Sequence, residues 1–331
     1  MFGRNRQRHT NIVFVIFRLI LSVVMFAVLL GGIYSAYKHF SGFDPLKLDP
    51  KVLVSRLINA RSLNDVVAMV SSKSTNTNDN ILGQITPGNT SKNIFKFLLV
   101  ADSHNDNTYL ATAINQAKIA HPDLAFIIGL GDYTEVGTLD ELEHAKKIFD
   151  QANLRYFLVP GDHDFWESRE KSASANTNFQ QIFGPTFQAF TFENYLILLL
   201  DNSDNYLGIG DEQTKWIENQ LERVNSEGIK DILVFVHEPL FHPSSDRVMG
   251  KVEPQLKQQA QALIFQLKTA RVKKIFAADI HYFSEYSEPV TSLDMVTIGA
   301  ITRDRNPQAS RYGIGYVFED GTVKVEDVEV R

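Results

Sequence analysis

Between residues 93 and 331, short apolar runs alternate with polar segments that have helical spacing. IFKFLLVA, LAFIIGL and RYFLVP are each predicted to form a strand that leads into a polar turn. The same order returns in the second half, where YLILLLD, DILVFV and KKIFAAD are separated by amphipathic segments. Strands that are apolar along their whole length are typical of a sheet covered by helices. The pattern predicts one α/β domain over residues 93–331, with a terminal hairpin that turns at Asp320-Gly321. We interpret the polar segment 167–180 as a loop able to cover a site.

The N-terminal residues follow a different pattern. Residues 19–37 contain no charged side chain, and the apolar run extends back to Ile12 with Arg18 as its one interruption. A helix of that length spans a hydrocarbon core of about 30 Å. A cleaved signal peptide is the alternative, but its apolar core would be long and Tyr34-Ser35-Ala36 is a poor cleavage site. We therefore predict one transmembrane helix that contacts the lipid bilayer through residues 12–37.

Basic residues flank this segment mainly on its N-terminal side, where Arg4, Arg6, Arg8 and Arg18 lie. This asymmetry favours a cytoplasmic N-terminus and a single-pass membrane protein whose main domain is extracytoplasmic. Residues 1–40 are then a basic tip and anchor. Residues 41–92, which include the polar run SSKSTNTNDN, are predicted to be a stalk or linker.

Composition excludes several classes of function. The 331 residues carry a formal net charge of −6, which argues against a nucleic-acid-binding surface. There is no cysteine, so neither a disulfide nor a cysteine nucleophile is available. A metal ion would have to be held by histidine, carboxylate, amide or backbone groups.

Carboxylates and imidazoles follow five of the predicted strands. Taken alone, Asp132 is better explained as a turn residue or helix cap, and His237 is compatible with a satisfied surface histidine. Several carboxylates at one sheet edge would repel one another unless a cation neutralises them. The set therefore predicts a metal site with two ions and a shared carboxylate. Its members are Asp102, His104, Asp132, Asp162, His163, Asp164, His237, Asp279 and His281.

Five ordered motifs, ADSH, GDYTE, GDHD, FVHEPL and ADIHYF, resemble those of the calcineurin-like metallophosphoesterases, and the resemblance covers residues 94–331. It implies a four-layer α/β/β/α sandwich with a dinuclear centre, here preceded by the predicted transmembrane helix. It also implies that one metal is held by Asp102, His104, Asp132 and His281. The second would be held by Asp132 as the bridge and by Asp162, His237 and Asp279.

The same resemblance implies a mechanism: in-line attack on phosphorus by a metal-bound hydroxide. His163 would act as acid or transition-state stabiliser at the leaving group. Asp164 would hold its imidazole in place. The expected activity is hydrolysis of a phosphomonoester or phosphodiester; the residues do not identify the substrate.

Two positions depart from the family pattern, because Asp162 replaces an asparagine and Asp279 replaces a histidine. With two divalent ions and a hydroxide, these extra carboxylates change the net charge of the centre from +1 to −1. Among Mn, Fe, Mg and Zn ions, the change favours hard ions at the second site. Arg303 and Arg305 are candidate substrate-binding cations that would offset the negative charge; solvated loop charges are the alternative.

Two functions are compatible with this sequence. The first is a metal-dependent phosphoesterase, a hydrolase acting on ester bonds. The second is a metal- or ligand-binding module on the same scaffold with weak or no turnover, which the two extra aspartates favour.

Overall fold

The computed structural model describes residues 91–171, 174–224 and 228–331, together with Leu21 and Met25. Residues 91–331 belong to a compact unit that spans Thr86–Arg331. The predicted basic tip, the stalk up to residue 90 and, apart from Leu21 and Met25, the predicted transmembrane segment lie outside the described residues. Within the described part of the chain, no helix has the length and apolar character needed to cross a membrane.

Eleven strands are described, and the long apolar ones lie where the sequence pattern predicts them. In chain order they are β1 (Asn93–Val100), β2 (Leu124–Gly129), β3 (Tyr156–Leu158), β4 (Gln188–Phe192), β5 (Tyr195–Leu199), β6 (Asp231–Phe235), β7 (Val272–Ala277), β8 (Ser284–Ser287), β9 (Asp294–Thr297), β10 (Arg311–Phe318) and β11 (Val323–Glu329). The predicted hairpin is confirmed, since β10 and β11 pair as antiparallel neighbours around Gly321, whose φ is 83°.

The strands form two sheets. The first has five strands in the order β11-β10-β1-β2-β3, and the second has six in the order β4-β5-β6-β7-β9-β8. In the first sheet β1, β2 and β3 run parallel, and in the second β5, β6, β7 and β9 do so. Parallel neighbours end at the same edge of a sheet, so the residues that follow them are brought together.

Six α-helices are described: α1 (Asn107–Ala120), α2 (Leu139–Gln151), α3 (Trp166–Lys171), α4 (Thr177–Phe183), α5 (Asp211–Arg223) and α6 (Leu256–Thr269). The interpretation of residues 167–180 as a loop is wrong in large part, because α3 and the start of α4 lie there. The buried Phe179 of α4 packs against Tyr133 and Phe165, so this segment belongs to the core between the helices and the first sheet.

Alternation along β1 explains how the layers stack. Phe97 and Leu99 face the second sheet in a core that also contains Phe235 and Phe276. Leu98 faces the other way, into a core shared with α1, α2 and α4. A third core lies between the outer face of the second sheet and helices α5 and α6. The result is four layers in the order helices, sheet, sheet, helices, as predicted.

Candidate metal centre

Residues with metal-ligand chemistry converge where the parallel strands end. Four of them follow strands of the first sheet, namely Asp102, His104, Asp132 and Asp162; three follow strands of the second, namely His237, Asp279 and His281. Two groups have ligand atoms within 4.8 Å of one another: Asp102, His104, Asp132 and His281 form one, and Asp132, Asp162 and His237 form the other. Asp132 belongs to both, which is the arrangement expected of a bridging carboxylate.

The backbone at this edge is unusual, since five of these residues have a positive φ although none is glycine. The angles are 51° for Asp102, 42° for His104, 55° for Asp132, 63° for Asp279 and 62° for His281. Each left-handed residue of this kind costs about 1 kcal/mol or more. Strain concentrated at one set of polar side chains indicates that the fold is adapted to hold them there.

Two glycines allow the strand ends to approach one another. A Cβ on Gly161 would overlap the carboxylate and the backbone nitrogen of Asp132, and a Cβ on Gly131 would overlap the backbone of Gly161. The φ of Gly131 is also 96°, which glycine adopts without strain. In both of these Gly-Asp pairs, the residue before the aspartate must therefore be glycine, because a side chain does not fit there.

The histidines are oriented by backbone carbonyls. His237 Nδ1 lies 2.7 Å from the carbonyl oxygen of Leu130, and His281 Nδ1 lies 3.1 Å from that of Arg305. A ring nitrogen that donates its hydrogen to a carbonyl leaves the other nitrogen as a lone-pair ligand. Nε2 is therefore the available ligand atom of both residues. His281 Nε2 faces His104 Nε2 at 3.3 Å.

The residues present fit bound cations. Asp102 Oδ2, Asp132 Oδ2 and His237 Nε2 are all buried and have no hydrogen-bond partner. Buried polar atoms are normally satisfied, so three unsatisfied acceptor-type atoms at one place indicate positions for a ligand. His237 Nε2 lies 3.6 Å from Asp132 Oδ1 and 3.7 Å from Asp162 Oδ1, and His104 Nε2 lies 3.5 Å from Asp132 Oδ2.

The electrostatics point in the same direction. Burial raises the pKa of Asp102 and raises that of Asp132 well above its ordinary value. Burial lowers the pKa of His104 to about 2, so its imidazole is neutral and able to ligate. Burial also disfavours the charged form of His237, but the charge of Asp132 and the neighbouring carboxylate of Asp162 raise its pKa well above normal. The carboxylates around His237 therefore stabilise a positive charge at this position.

Amide side chains that the sequence did not reveal support the second group. Asn205 Nδ2 donates to Asp162 Oδ2 at 2.8 Å. Asn202 is fully buried, and its Oδ1 accepts from the backbone nitrogen of His237 at 3.0 Å. Both follow β5, whose motif DNSDN has no spacing that distinguishes it from an ordinary polar turn.

His163 lies beside the two groups, in a short 3₁₀ turn after β3. Its backbone nitrogen donates to Asp132 Oδ1 at 3.1 Å, and its ring packs edge-on against His104 with the centroids 4.6 Å apart. Trp166 stacks on the same imidazole, with the ring centroids 3.9 Å apart. Trp166 therefore contacts the imidazole of His163 directly.

The predicted role of Asp164 requires a correction. His163 Nδ1 lies 2.8 Å from the carbonyl oxygen of Glu135, so a backbone carbonyl orients the imidazole. The carboxylate of Asp164 accepts instead from the backbone and hydroxyl of Thr134, at 3.1 and 2.8 Å, and from the backbone of Gly161, at 2.9 Å. Burial raises its pKa to about 6 although these bonds oppose the shift. Asp164 therefore ties the strand ends together and does not hold His163.

Comparison with known proteins decides the family. The profile of the calcineurin-like phosphoesterases matches residues 95–283. The chain belongs to this family. It is 28% identical over 131 residues to the probable glycerophosphodiester phosphodiesterase GpdQ of Arcobacter nitrofigilis, which covers 38% of this chain and 45% of that protein. It is 26% identical over 166 residues to the serine/threonine-protein phosphatase CPPED1 of Rattus norvegicus, which covers 49% of this chain and 51% of that protein.

Each match thus covers about half the length of the curated relative. Among solved structures, a dimetal phosphatase from Danio rerio aligns with a TM-score of 0.54 and 15% identity over 72% of this chain and 100% of that chain. At this identity the likeness concerns the fold.

Asp279 is the position at which this family member differs most from the prediction. Its Oδ1 pairs with Nη2 of Arg247 at 2.9 Å, and it joins neither group of potential ligands. Its backbone nitrogen approaches Asp102 Oδ1 at 3.4 Å, so the residue still borders the centre. The structure therefore does not bring Asp279 into the second ligand set. Arg247, in the loop between β6 and α6, was not found by the sequence analysis.

Arg303 and Arg305 lie in the loop after β9, and both have carboxylate partners. Arg303 Nε lies 3.1 Å from Asp106 Oδ2, and Arg305 Nη2 lies 2.8 Å from Glu135 Oε2. Glu135 forms a third group of potential ligands with His104 and His163, although its Oε2 is engaged by Arg305. Both arginine side chains are more than half exposed, and their predicted contact with substrate stays a prediction.

Proposed function

We propose that this protein is a metal-dependent phosphoesterase, a hydrolase with a dinuclear centre held at the ends of its two sheets. One observation carries the proposal: two groups of potential ligands share Asp132 and contain three buried atoms without a hydrogen-bond partner. Membership of the calcineurin-like phosphoesterases supports the same reaction class.

The proposed ligands form one set for each ion. Asp102, His104, Asp132 and His281 would hold one ion, and Asp132, Asp162 and His237 the other. When bound, such ions supply an activated water for attack on phosphorus and positive charge for the phosphoryl oxygens. The carbonyls of Leu130 and Arg305 keep Nε2 of His237 and His281 directed at the centre.

His163 is the proposed acid or transition-state stabiliser. Its Nδ1 is committed to the carbonyl of Glu135, so Nε2 is the nitrogen that remains for a leaving-group oxygen. The stack with Trp166 and the edge contact with His104 restrict rotation of the ring. An imidazole held in this way transfers its proton without first losing conformational freedom.

The substrate is proposed at the level of its chemistry, as a phosphomonoester or a phosphodiester. By their names, one relative is a glycerophosphodiester phosphodiesterase and the other a serine/threonine-protein phosphatase. Together they support both ester classes and favour neither.

The test combines metal analysis with turnover on one sample of the purified full chain. Two ions per chain, with hydrolysis of an aryl phosphate mono- or diester stimulated by Mn²⁺, are expected. Loss of turnover in Asp102→Ala and Asp132→Asn should follow. Absence of turnover with Mn²⁺, Mg²⁺, Fe²⁺ and Zn²⁺ would contradict this proposal and favour the alternative, a metal- or ligand-binding module without turnover.

The location of the protein is a separate proposal that depends on sequence alone. Residues 12–37 would anchor the chain in a bilayer, with the phosphoesterase domain outside the cytoplasm. Protease added to intact cells should digest that domain, whereas recovery of the full chain in the soluble fraction would contradict the anchor.

A further inference from the structure

The ion pair of Arg247 with Asp279 occupies the place where the family pattern has a histidine. Asp279 is buried, with its residue 8% exposed, so its charge is largely withdrawn from water. A buried carboxylate needs a partner, and the guanidinium supplies one at 2.9 Å. Asp279 also joins neither group of potential ligands, so its nearest charged partner is Arg247 and not the ligand set.

Arg247 extends from an ordered part of the loop between β6 and α6. Its backbone nitrogen donates to Ser245 Oγ at 3.1 Å, and the neighbouring Met249 nitrogen donates to the carbonyl of Pro239 at 2.9 Å. The side chain is 51% exposed, so the guanidinium is held at one end and open to solvent elsewhere. It is therefore accessible to a ligand that approaches the centre.

Contacts of Asp279 show where the guanidinium lies, since Asp279 Oδ1 is 2.9 Å from Arg247 Nη2 and the Asp279 backbone nitrogen is 3.4 Å from Asp102 Oδ1. Burial disfavours the charged form of Arg247, but the carboxylates of Asp279, Asp102, Asp162 and Asp132 raise its pKa. Three of these four belong to the two ligand groups. Arg247 thus borders the metal centre on the side of Asp279.

We propose that Arg247 binds the phosphoryl oxygens of the substrate and that Asp279 is its positioning residue, not a metal ligand. The inference rests on the proposed function. A guanidinium has five N–H donors in a planar fork that matches a phosphate, and the contact with Asp279 leaves most of them available. The second ion would then be held by the side chains of Asp132, Asp162 and His237.

The proposal also accounts for one of the two extra negative charges predicted from the sequence. Asp279 and Arg247 are neutral as a pair, so Asp279 no longer adds charge to the centre. The cation that offsets it is Arg247, which was not among the predicted candidates Arg303 and Arg305.

Four variants of the purified full chain, loaded with Mn²⁺, test the proposal: Arg247→Met, Arg247→Lys, Asp279→Asn and the control Lys251→Met. Lys251 lies in the same loop, has a side chain that is 50% exposed, and also pairs with a carboxylate, that of Asp246. Asparagine is chosen at residue 279 because it tolerates the φ of 63°. The measurements are metal content by atomic emission, affinity for inorganic phosphate by calorimetry, and kcat and KM.

Arg247→Met should keep the wild-type metal content, bind inorganic phosphate about tenfold more weakly or worse, and raise KM similarly. Arg247→Lys should recover part of the affinity, since the charge remains but the fork is lost. Asp279→Asn should weaken phosphate binding to a smaller extent without loss of metal. Lys251→Met should behave as wild type.

Loss of one ion in Asp279→Asn would overturn the positioning role and restore Asp279 as a ligand. Unchanged phosphate affinity in Arg247→Met would overturn the binding role. Absence of turnover in the wild-type protein would instead refute the proposed function, and phosphate affinity would still decide the role of Arg247.

Discussion

His237 Nδ1, at the end of β6 in the second sheet, lies 2.7 Å from the carbonyl oxygen of Leu130, at the end of β2 in the first. This contact joins the two sheets and fixes which nitrogen of His237 faces Asp132 and Asp162. A ligand oriented by a backbone carbonyl does not depend on its own rotamer preference. The orientation of the His237 ring is therefore set by the backbone at the end of β2.

His237→Ala should remove about one metal ion per chain, because it takes one of three side chains from the second ligand group. Atomic emission on the purified variant measures this directly. His144→Ala is the matched control, since that imidazole is 63% exposed on α2 and should leave the metal content unchanged. Retention of both ions in His237→Ala would contradict the assignment of the second group.

Asp164→Asn tests the correction made to the role of Asp164. The carboxylate oxygens of Asp164 accept hydrogen bonds from Thr134 and Gly161, and the NH₂ group of the asparagine cannot accept them. At least one of these donors would lose its acceptor, so the free energy of unfolding should fall by about 1–3 kcal/mol. Chemical denaturation measures that loss. A variant of wild-type stability with a selectively reduced kcat would instead indicate that Asp164 acts through His163.

Trp166→Ala should lower kcat by about tenfold, with little change in metal content, because the stack that restricts the His163 ring is lost. Trp166→Phe should retain most of the activity, as it keeps an aromatic face. Equal activity of wild type and the alanine variant would show that the carbonyl of Glu135 and the contact with His104 suffice to orient the ring.

Gly161→Ala should disrupt metal binding, because the added methyl group would overlap Asp132. Gly210→Ala is the matched control, since nothing lies within 4 Å of a Cβ at that position. Metal content and thermal unfolding distinguish the two variants. A Gly161→Ala protein with a full complement of metal would show that the loop after β3 moves freely.

Asp201 provides a pH dependence that is separate from the ligand groups. Burial raises its pKa from 3.8 to about 6, so between these values the folded protein keeps a proton that the unfolded chain releases. Stability should therefore fall as the pH rises through that window and stay reduced above it.

Asp201→Asn removes this titration while it keeps an acceptor for the backbone nitrogen of Ser203, which lies 3.1 Å from Oδ1. The variant should be more stable than wild type at pH 7 by about 1 kcal/mol or more, and the difference should shrink towards pH 4. A constant difference at all pH values, measured by thermal unfolding, would contradict the raised pKa.

The apolar strands and the residues that follow them were predictable, because parallel strands end at a common edge. Short edge strands were missed for the opposite reason. β8 has the sequence SEYS, with alternate residues exposed, and such a strand contains no apolar run. Its pairing with β9 depends on contacts that local sequence does not specify.

Side-chain partners within the site were less predictable than its members. Arg247 lies 32 residues before Asp279 in a loop without periodicity, so only the folded chain shows that they meet. The carbonyl of Glu135 orients His163 through the backbone, which residue identity does not reveal. The neighbouring Asp164 was the natural choice from sequence and proved to have other partners.

The division of the ligands between two sheets affects how the protein unfolds. Ions held jointly by Asp132 of the first sheet and by His237 and His281 of the second would act as cross-links, which the unfolded chain lacks. An ion present at about 100 times its dissociation constant would add about 2.7 kcal/mol to the free energy of unfolding. Removal of the ions by a chelator would then allow the two sheets to separate more readily. The storage lifetime of the purified protein would therefore depend on its metal content.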